Sequence, residues 1–438
     1  MKFRATILLT GILVLALAVT GLAYEADYDF GEVDFGGETV TFVGWYDYLE
    51  DFREGGEYAG RLEEAKERFN IGEVEYLAGE WDGLTDLMMS RLMGGDAGYD
   101  IWMVHGDPYM ELMGQNALYP ISNLVGEEYY TTKPEPIQAV AEYMSLRGEK
   151  YVFSNADDFF ATLSFIAWNK DLFEREGLAS PEALYQTGEW DWDNFGQIAI
   201  EATRDTTGDG EVDQWGISDI STLEFAMTNG ARVTRQDEDG NWTFAFDEEP
   251  ALNALSQIKE WSVTHGVAAG DWQGTSFNAG NAAMRQLAIW EMGDDEGLAG
   301  ADFDWGIVPL PQGPDADSQY WPTGGVDTLV IPVDAAQPEA LLALDDFLFR
   351  NDEYWIDKED YMIENAVDQF AFQIMEEALY NWEGEAFWVE GVIGPDWDDS
   401  RNFGAALGAV LYEDEAPASA MGAAAPAIQE ELNEFFGQ

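Results

Sequence analysis

The sequence predicts an α/β protein of two domains, each built on a mostly parallel sheet flanked by helices. Strand-like and helix-like segments alternate between Thr39 and Val104, the order that makes a parallel sheet with right-handed crossovers. The pattern restarts past Glu149. A chain of 438 residues, less a short N-terminal export segment, is long enough for two such units.

Residues 1–23 read as a secretory signal. Lys2 and Arg4 give a positive start, 7–19 is almost wholly apolar, and Gly21-Leu22-Ala23 places small residues where cleavage occurs. The apolar run is short for a membrane-spanning anchor. Thr39-Val40-Thr41-Phe42-Val43-Gly44 is the first strand. Residues 61–69 carry Leu62, Ala65 and Phe69 at helical spacing, and 73–77 is a short strand. Leu84, Leu87, Met88, Arg91 and Leu92 share a helix over 84–93 that Gly94-Gly95 ends. Residues 100–104 form a strand of buried character. Beyond Glu149 come an apolar run at 163–168, helices at 192–203 and 250–265, and a strand-like Leu287-Ala288-Ile289. Residues 304–311 are a strand closing in a proline-marked turn, 328–333 another strand, and 338–350 an amphipathic helix. The final third is mainly helical, with a linker-like 416–427 before helical spacing resumes at 428–436. No internal repeat is present.

Acidic residues number 86 against 20 basic ones, a formal net charge of -66. Such a surface repels phosphate backbones and anionic membranes, which excludes nucleic acid as a partner. The acids are spread along the whole chain, so they read as a solvated coat suited to a halophilic source. In molar salt the Debye length is about 3 Å, which screens the self-repulsion. The melting temperature is therefore expected to rise from dilute buffer to molar salt; an unchanged value excludes the idea. Cysteine is absent, which removes disulfides, thiol catalysis and a lipid anchor on an N-terminal cysteine. The mature chain is expected to be soluble in the periplasm, and monomeric.

Three strands run straight into aromatic, acidic or histidine residues: Trp45-Tyr46-Asp47, His105-Gly106-Asp107 and Trp290-Glu291. Carboxyl ends of strands in an open α/β sheet border the ligand crevice. Apolar rings beside carboxylates match a sugar, which has CH faces and a belt of hydroxyls. Trp45, Tyr46, Asp47, His105, Asp107, Trp290 and Glu291 are thus candidate ligand-binding residues. Asp157 and Asp158, Trp321, and Trp397 with Arg401 are added as further candidates, Arg401 because a guanidinium grips hydroxyls or a carboxylate. No residue is assigned a catalytic role and no cofactor is required. A calcium-loop pattern spans 205–213. Side-chain oxygens fall at Asp205, Thr207 and Asp209, Gly210 allows the sharp turn, and the Glu211 carbonyl and Asp213 follow. The bidentate glutamate of such loops is missing, since Gly216 stands in its place, and two readings stay open: a structural calcium ion or a solvated acidic loop.

Five segments in order resemble the family 1 extracellular solute-binding proteins of ABC importers, the group that includes maltose-binding protein. They are Tyr99-Asp100-Ile101 through Gln115-Asn116-Ala117-Leu118-Tyr119-Pro120-Ile121; Trp168-Asn169-Lys170-Asp171-Leu172-Phe173 with Gly177-Leu178; Gly280-Asn281-Ala282-Ala283-Met284 through Trp290; Phe303-Asp304-Trp305-Gly306 to Pro309-Leu310-Pro311; and Pro322-Thr323-Gly324-Gly325. The resemblance implies two α/β lobes of discontinuous chain that close on a ligand by hinge motion. It places one lobe at 24–160 with 324–355 and the other at 161–323 with 356–438. Crossings are expected near 159–164, near 321–325 and at the end of the 338–350 helix. It further implies that Trp290 stacks on the ligand and that the closed form meets a membrane permease. The chain departs from the family in its acidity and in Val326, where an aromatic commonly follows the paired glycines. Two rival readings remain. A secreted glycoside hydrolase would turn over a glycoside, and a binder of a cationic solute such as a polyamine would lose affinity in molar salt.

Overall fold

A computed structural model describes residues 27–95, 98–156, 159–237, 241–293, 298, 301–323, 325–382, 393 and 402–438 of the chain. The architecture is two-lobed, with one four-stranded sheet in each lobe. The first lobe opens with β1 (Thr39–Gly44), α1 (Arg61–Phe69), β2 (Glu73–Ala78), α2 (Trp81–Met93), β3 (Ile101–Val104) and α3 (Gly106–Gly114). The second follows with β4 (Ser164–Asn169), α4 (Trp192–Ala202), β5 (Trp215–Ile217), α5 (Thr222–Thr228), the hairpin β6 (Thr234–Gln236) and β7 (Trp242–Phe244), α6 (Glu249–Lys259), β8 (Ala282–Ala288) and β9 (Trp305–Pro309). The chain then returns for β10 (Thr328–Val330) and α7 (Pro338–Leu348). It ends in α8 (Tyr354–Asn365), α9 (Gln369–Asn381), α10 (Asn402–Tyr412) and α11 (Pro417–Phe436).

The first sheet has the order β10-β3-β1-β2, with β1 parallel to both β2 and β3. Every residue of β3 is buried, whereas β2 carries Glu73 and Glu75 along an exposed edge, where charge discourages pairing with other chains. Local signals are obeyed closely in the second lobe. Asn169 caps the helix Lys170–Glu176 by accepting from the Leu172 amide at 2.9 Å, and Gly177 ends it at φ 70°. Asp191 caps α4 in the same way, at 2.9 Å from the Asn194 amide, and Trp192, Phe195, Ile198, Ala199 and Ala202 form its buried stripe. The fully buried Phe165, Phe195 and Phe225 each contribute about 1.5–3 kcal/mol by burial.

The second sheet, ordered β5-β8-β4-β9, corrects the expected mostly parallel arrangement. β4 is antiparallel to both β8 and β9, and only the β5–β8 pair is parallel. The reason lies in how the chain enters and leaves this lobe. Leu163 bridges Thr323, the Ser164 amide donates to the Pro322 carbonyl at 2.8 Å, and the Thr162 and Thr323 hydroxyls lie 2.5 Å apart. Entry and exit run side by side, so the strand after entry must oppose the strand before exit. Periodicity within a segment carries no record of that direction.

A third crossing follows α7. Arg61 of α1 forms a two-pronged ion pair with Glu353 at 2.7 Å for both contacts, and lies over the Tyr58 ring at 4.1 Å. From there α8 passes Phe160, whose ring is 6.1 Å from Tyr361, and α9 packs on β9. Beneath α7 the Lys133 ammonium pairs with Asp346 at 2.5 Å, both groups buried, and the Tyr129 hydroxyl donates to the same carboxylate at 3.1 Å.

Candidate functional site

The strand ends of both lobes meet the side where the chain crosses. Val104, the last residue of β3, pairs with Thr328, which follows directly on the second crossing. Ala288, the last residue of β8, pairs with Ser164, which follows directly on the first. The loops after β1, β3 and β8 therefore border the gap between the lobes.

On the first lobe this border is aromatic. Trp45 lies edge-on to His105 at 6.0 Å and to Tyr46 at 6.1 Å, which joins the ends of β1 and β3. Tyr46 is exposed, and its carbonyl accepts from the Tyr76 hydroxyl. Burial pushes the His105 imidazole down to about 4, so it is neutral above that pH and serves as a hydrogen-bonding group. Asp47 is engaged locally, accepting from the Leu49 amide at 3.1 Å and pairing with Arg53. Asp107 lies in the first turn of α3, and its side chain falls outside the described residues, as do Asp157, Asp158, Trp397 and Arg401.

On the second lobe Trp290 stands out at 54 % exposure. Its backbone amide donates to the Ala161 carbonyl at 3.1 Å, which fixes the turn independently of the ring. Beside it Glu291 accepts from the Ala288 amide at 2.9 Å and pairs with Arg285, a buried guanidinium that also reaches Asn278 at 3.3 Å. A buried arginine needs a counter-ion, so the Glu291 carboxylate is held by this pair. Trp321 is buried, its ring 6.5 Å from Phe165.

Residues not anticipated from the sequence complete this border. Glu224 of α5 accepts from Gln286 and from the Ser164 hydroxyl. Burial pushes its carboxyl up to about 7, with Glu291 adding repulsion and the two hydrogen bonds working the other way. A folded pKa above the unfolded one makes this group's stability contribution full below about pH 4.5, and it is lost as the pH rises through about 7. Glu224→Gln is expected to flatten the fall of melting temperature across that window, measured in molar salt; an unchanged slope rejects the assignment. At the end of β5, Trp272 is 75 % exposed beside Asp271, whose amide donates to the Ser218 carbonyl at 3.1 Å. Burial raises the pKa of the neighbouring Asp219, and Asp271 adds to the shift. A tryptophan in a polar turn ahead of Gly274 was the signal available for Trp272.

The 205–213 loop is closed by its own backbone. Asp205 accepts from the Gly208 amide at 2.6 Å and the Gly210 amide at 2.7 Å, Asp213 from the Thr206 amide at 2.7 Å, and Asp209 from the Glu211 amide at 2.9 Å. Among the described residues no group of three or more His, Cys, Asp or Glu side chains is placed to hold a metal ion. No helix of the described residues is long and apolar enough to cross a membrane. A hollow of about 420 Å³ on the outer side of α4 and α6, lined by Trp192, Gln197, Gln257 and Trp261 among others, contains none of the strand-end residues.

Residues 54–355 match the bacterial extracellular solute-binding protein family. No curated protein sequence matches the chain. Among solved structures it is similar to an ABC substrate-binding protein from Listeria monocytogenes in complex with cycloalternan, with 16 % identity and a TM-score of 0.63 over 91 % of this chain and 99 % of that one. It is similar to MalE of Bdellovibrio bacteriovorus bound to maltotriose, with 17 % identity and a TM-score of 0.62 over 90 % and 100 %. It is also similar to UgpB of Mycobacterium tuberculosis in complex with glycerophosphocholine, with 16 % identity and a TM-score of 0.64 over 90 % and 98 %. At these identities the likeness establishes the fold, and the three ligands differ in chemistry.

Proposed function

The chain belongs to the family of bacterial extracellular solute-binding proteins, and we propose that it captures an oligosaccharide for an ABC importer in the periplasm. The lobes close on the sugar by hinge motion, and the closed form is presented to the membrane permease. The chain performs no chemistry in this reading. Trp290 is the observation that supports it most strongly. Half-exposed, it stands at the crossing-side end of β8 next to Glu291, while Trp45, Tyr46 and His105 stand at the corresponding ends of the other lobe. Rings that stack on sugar faces supply affinity, and Glu224 with the neutral His105 supplies hydroxyl contacts. Trp272 extends the platform.

A cationic solute such as a polyamine is the second reading, favoured by Asp219, Glu224 and Glu291 on the same border. The deciding experiment is a thermal-shift screen in molar salt against mono- and oligosaccharides, polyamines and calcium. A ligand that binds only the folded state raises the melting temperature. A shift with an oligosaccharide class is expected. A shift with polyamines and none with sugars replaces the ligand, and turnover of a glycoside replaces the function.

A further inference from the structure

We propose that the C-terminal end of α11 is a clasp that fixes the angle between the lobes before any ligand binds. α11 belongs to the second lobe, where it packs on α10 and α6. Gln429 of α11 and Gln438 just beyond its end hold the outer edge of the hairpin strand β7. The Trp242 amide donates to the Gln438 side chain at 2.8 Å and the Phe244 amide to Gln429 at 2.9 Å, while both side-chain amides donate back to the Trp242 carbonyl at 2.5 and 3.0 Å. These bonds satisfy edge groups that would otherwise face water. The Phe436 ring stacks on Trp242 at 5.5 Å and 29°.

The same few residues also grip the first lobe. Arg147 donates to the Phe435 carbonyl at 2.5 Å and to the Phe436 carbonyl at 3.3 Å. Carbonyls of a last helical turn lack intrahelical partners and carry the negative end of the dipole, so a guanidinium suits them. Arg147 does this from an unusual backbone. It sits at φ 55° beside Gly148 at φ 80°, in a turn that the reciprocal Leu146–Glu149 bonds close. Paired left-handed positions favour asparagine or glycine, so arginine there is held against local preference. Phe435 adds a fitted contact: a Cβ on Gly114, at the end of α3, would lie 2.7 Å from its ring. Residues 435–438 are thus bonded to β7 on one side and to Arg147 on the other, where Phe435 also lies against Gly114 of α3.

Because the lobe angle decides how much of the protein is ready to receive ligand, a clasp of this kind sets apparent affinity without touching the solute. This goes beyond the transport reading, and its test needs no ligand. The chain has no cysteine, so Glu67→Cys on α1 and Asp193→Cys on α4 accept one spin label per lobe. The interlobe distance distribution is measured by pulsed electron resonance on the full ligand-free chain in molar salt. Arg147→Asn, which suits the turn, is expected to shift or broaden the distribution while the melting temperature holds. Phe435→Ala, which leaves the turn untouched, is expected to give the same change. Distributions that superimpose on the parent in both folded variants overturn the clasp.

Discussion

If the proposed sugar ligand is right, Trp290→Ala is expected to weaken its binding by about 10- to 100-fold and to leave the melting temperature of the ligand-free protein unchanged. The size follows from area. A tryptophan buries 150–250 Å² when fully covered, so its exposed half offers roughly 100 Å² to a sugar face, worth about 2.5 kcal/mol at ~25 cal/mol per Å². Each 1.4 kcal/mol is about a factor of ten in affinity. Stability is spared because the turn is held by the backbone bond to Ala161 and by Glu291 on the Ala288 amide, neither of which uses the ring. Trp290→Phe keeps a stacking face and is expected to retain most of the affinity. Calorimetric titration with the sugar identified by thermal shift provides the measurement. Equal affinities in the alanine variant and the parent would remove Trp290 from the binding surface.

Lys133→Met is expected to cost about 3–5 kcal/mol, the penalty for leaving a buried charge without its counter-ion. Asp346 is 4 % exposed, and the neutral Tyr129 hydroxyl at 3.1 Å gives it a hydrogen bond but no positive charge. Salt does not rescue the variant, since a buried pair lies beyond the reach of mobile ions that screen the acidic coat. Lys133→Met with Asp346→Leu is expected to recover most of the loss, because apolar groups of similar volume replace both charges. Urea unfolding in molar salt reads all three proteins, and a loss below about 1 kcal/mol in the single variant contradicts a paired, buried Asp346.

Much of the fold is legible because local signals are unopposed. Asn169 and Gly177 bracket a helix at the positions their chemistry favours, and β3 is buried along its whole length as its apolar run implies. The direction of β4 is not legible, because it depends on a return strand more than a hundred positions later in the chain. The same divide runs through the site. Trp290 and Trp321 look alike in sequence, each beside a turn, yet one is half exposed and the other buried. Glu224 sits among many acids, and only its neighbours Ser164 and Gln286, far away in sequence, set it apart. Glu291 read as a free acceptor, but Arg285 on the preceding strand takes it up.

The side-by-side entry and exit of the second lobe also bear on how the chain folds. β3 ends at Val104, but its outer neighbour β10 begins only at Thr328. Until the chain has run through the 161–323 part of the second lobe and returned, the apolar edge Ile101-Trp102-Met103-Val104 has no partner on that side. Pairings of such long sequence separation form slowly, and an uncovered apolar edge recruits other chains in the meantime. Aggregation during refolding should therefore scale with the time β3 waits for β10, and the acidic coat keeps the waiting chains apart.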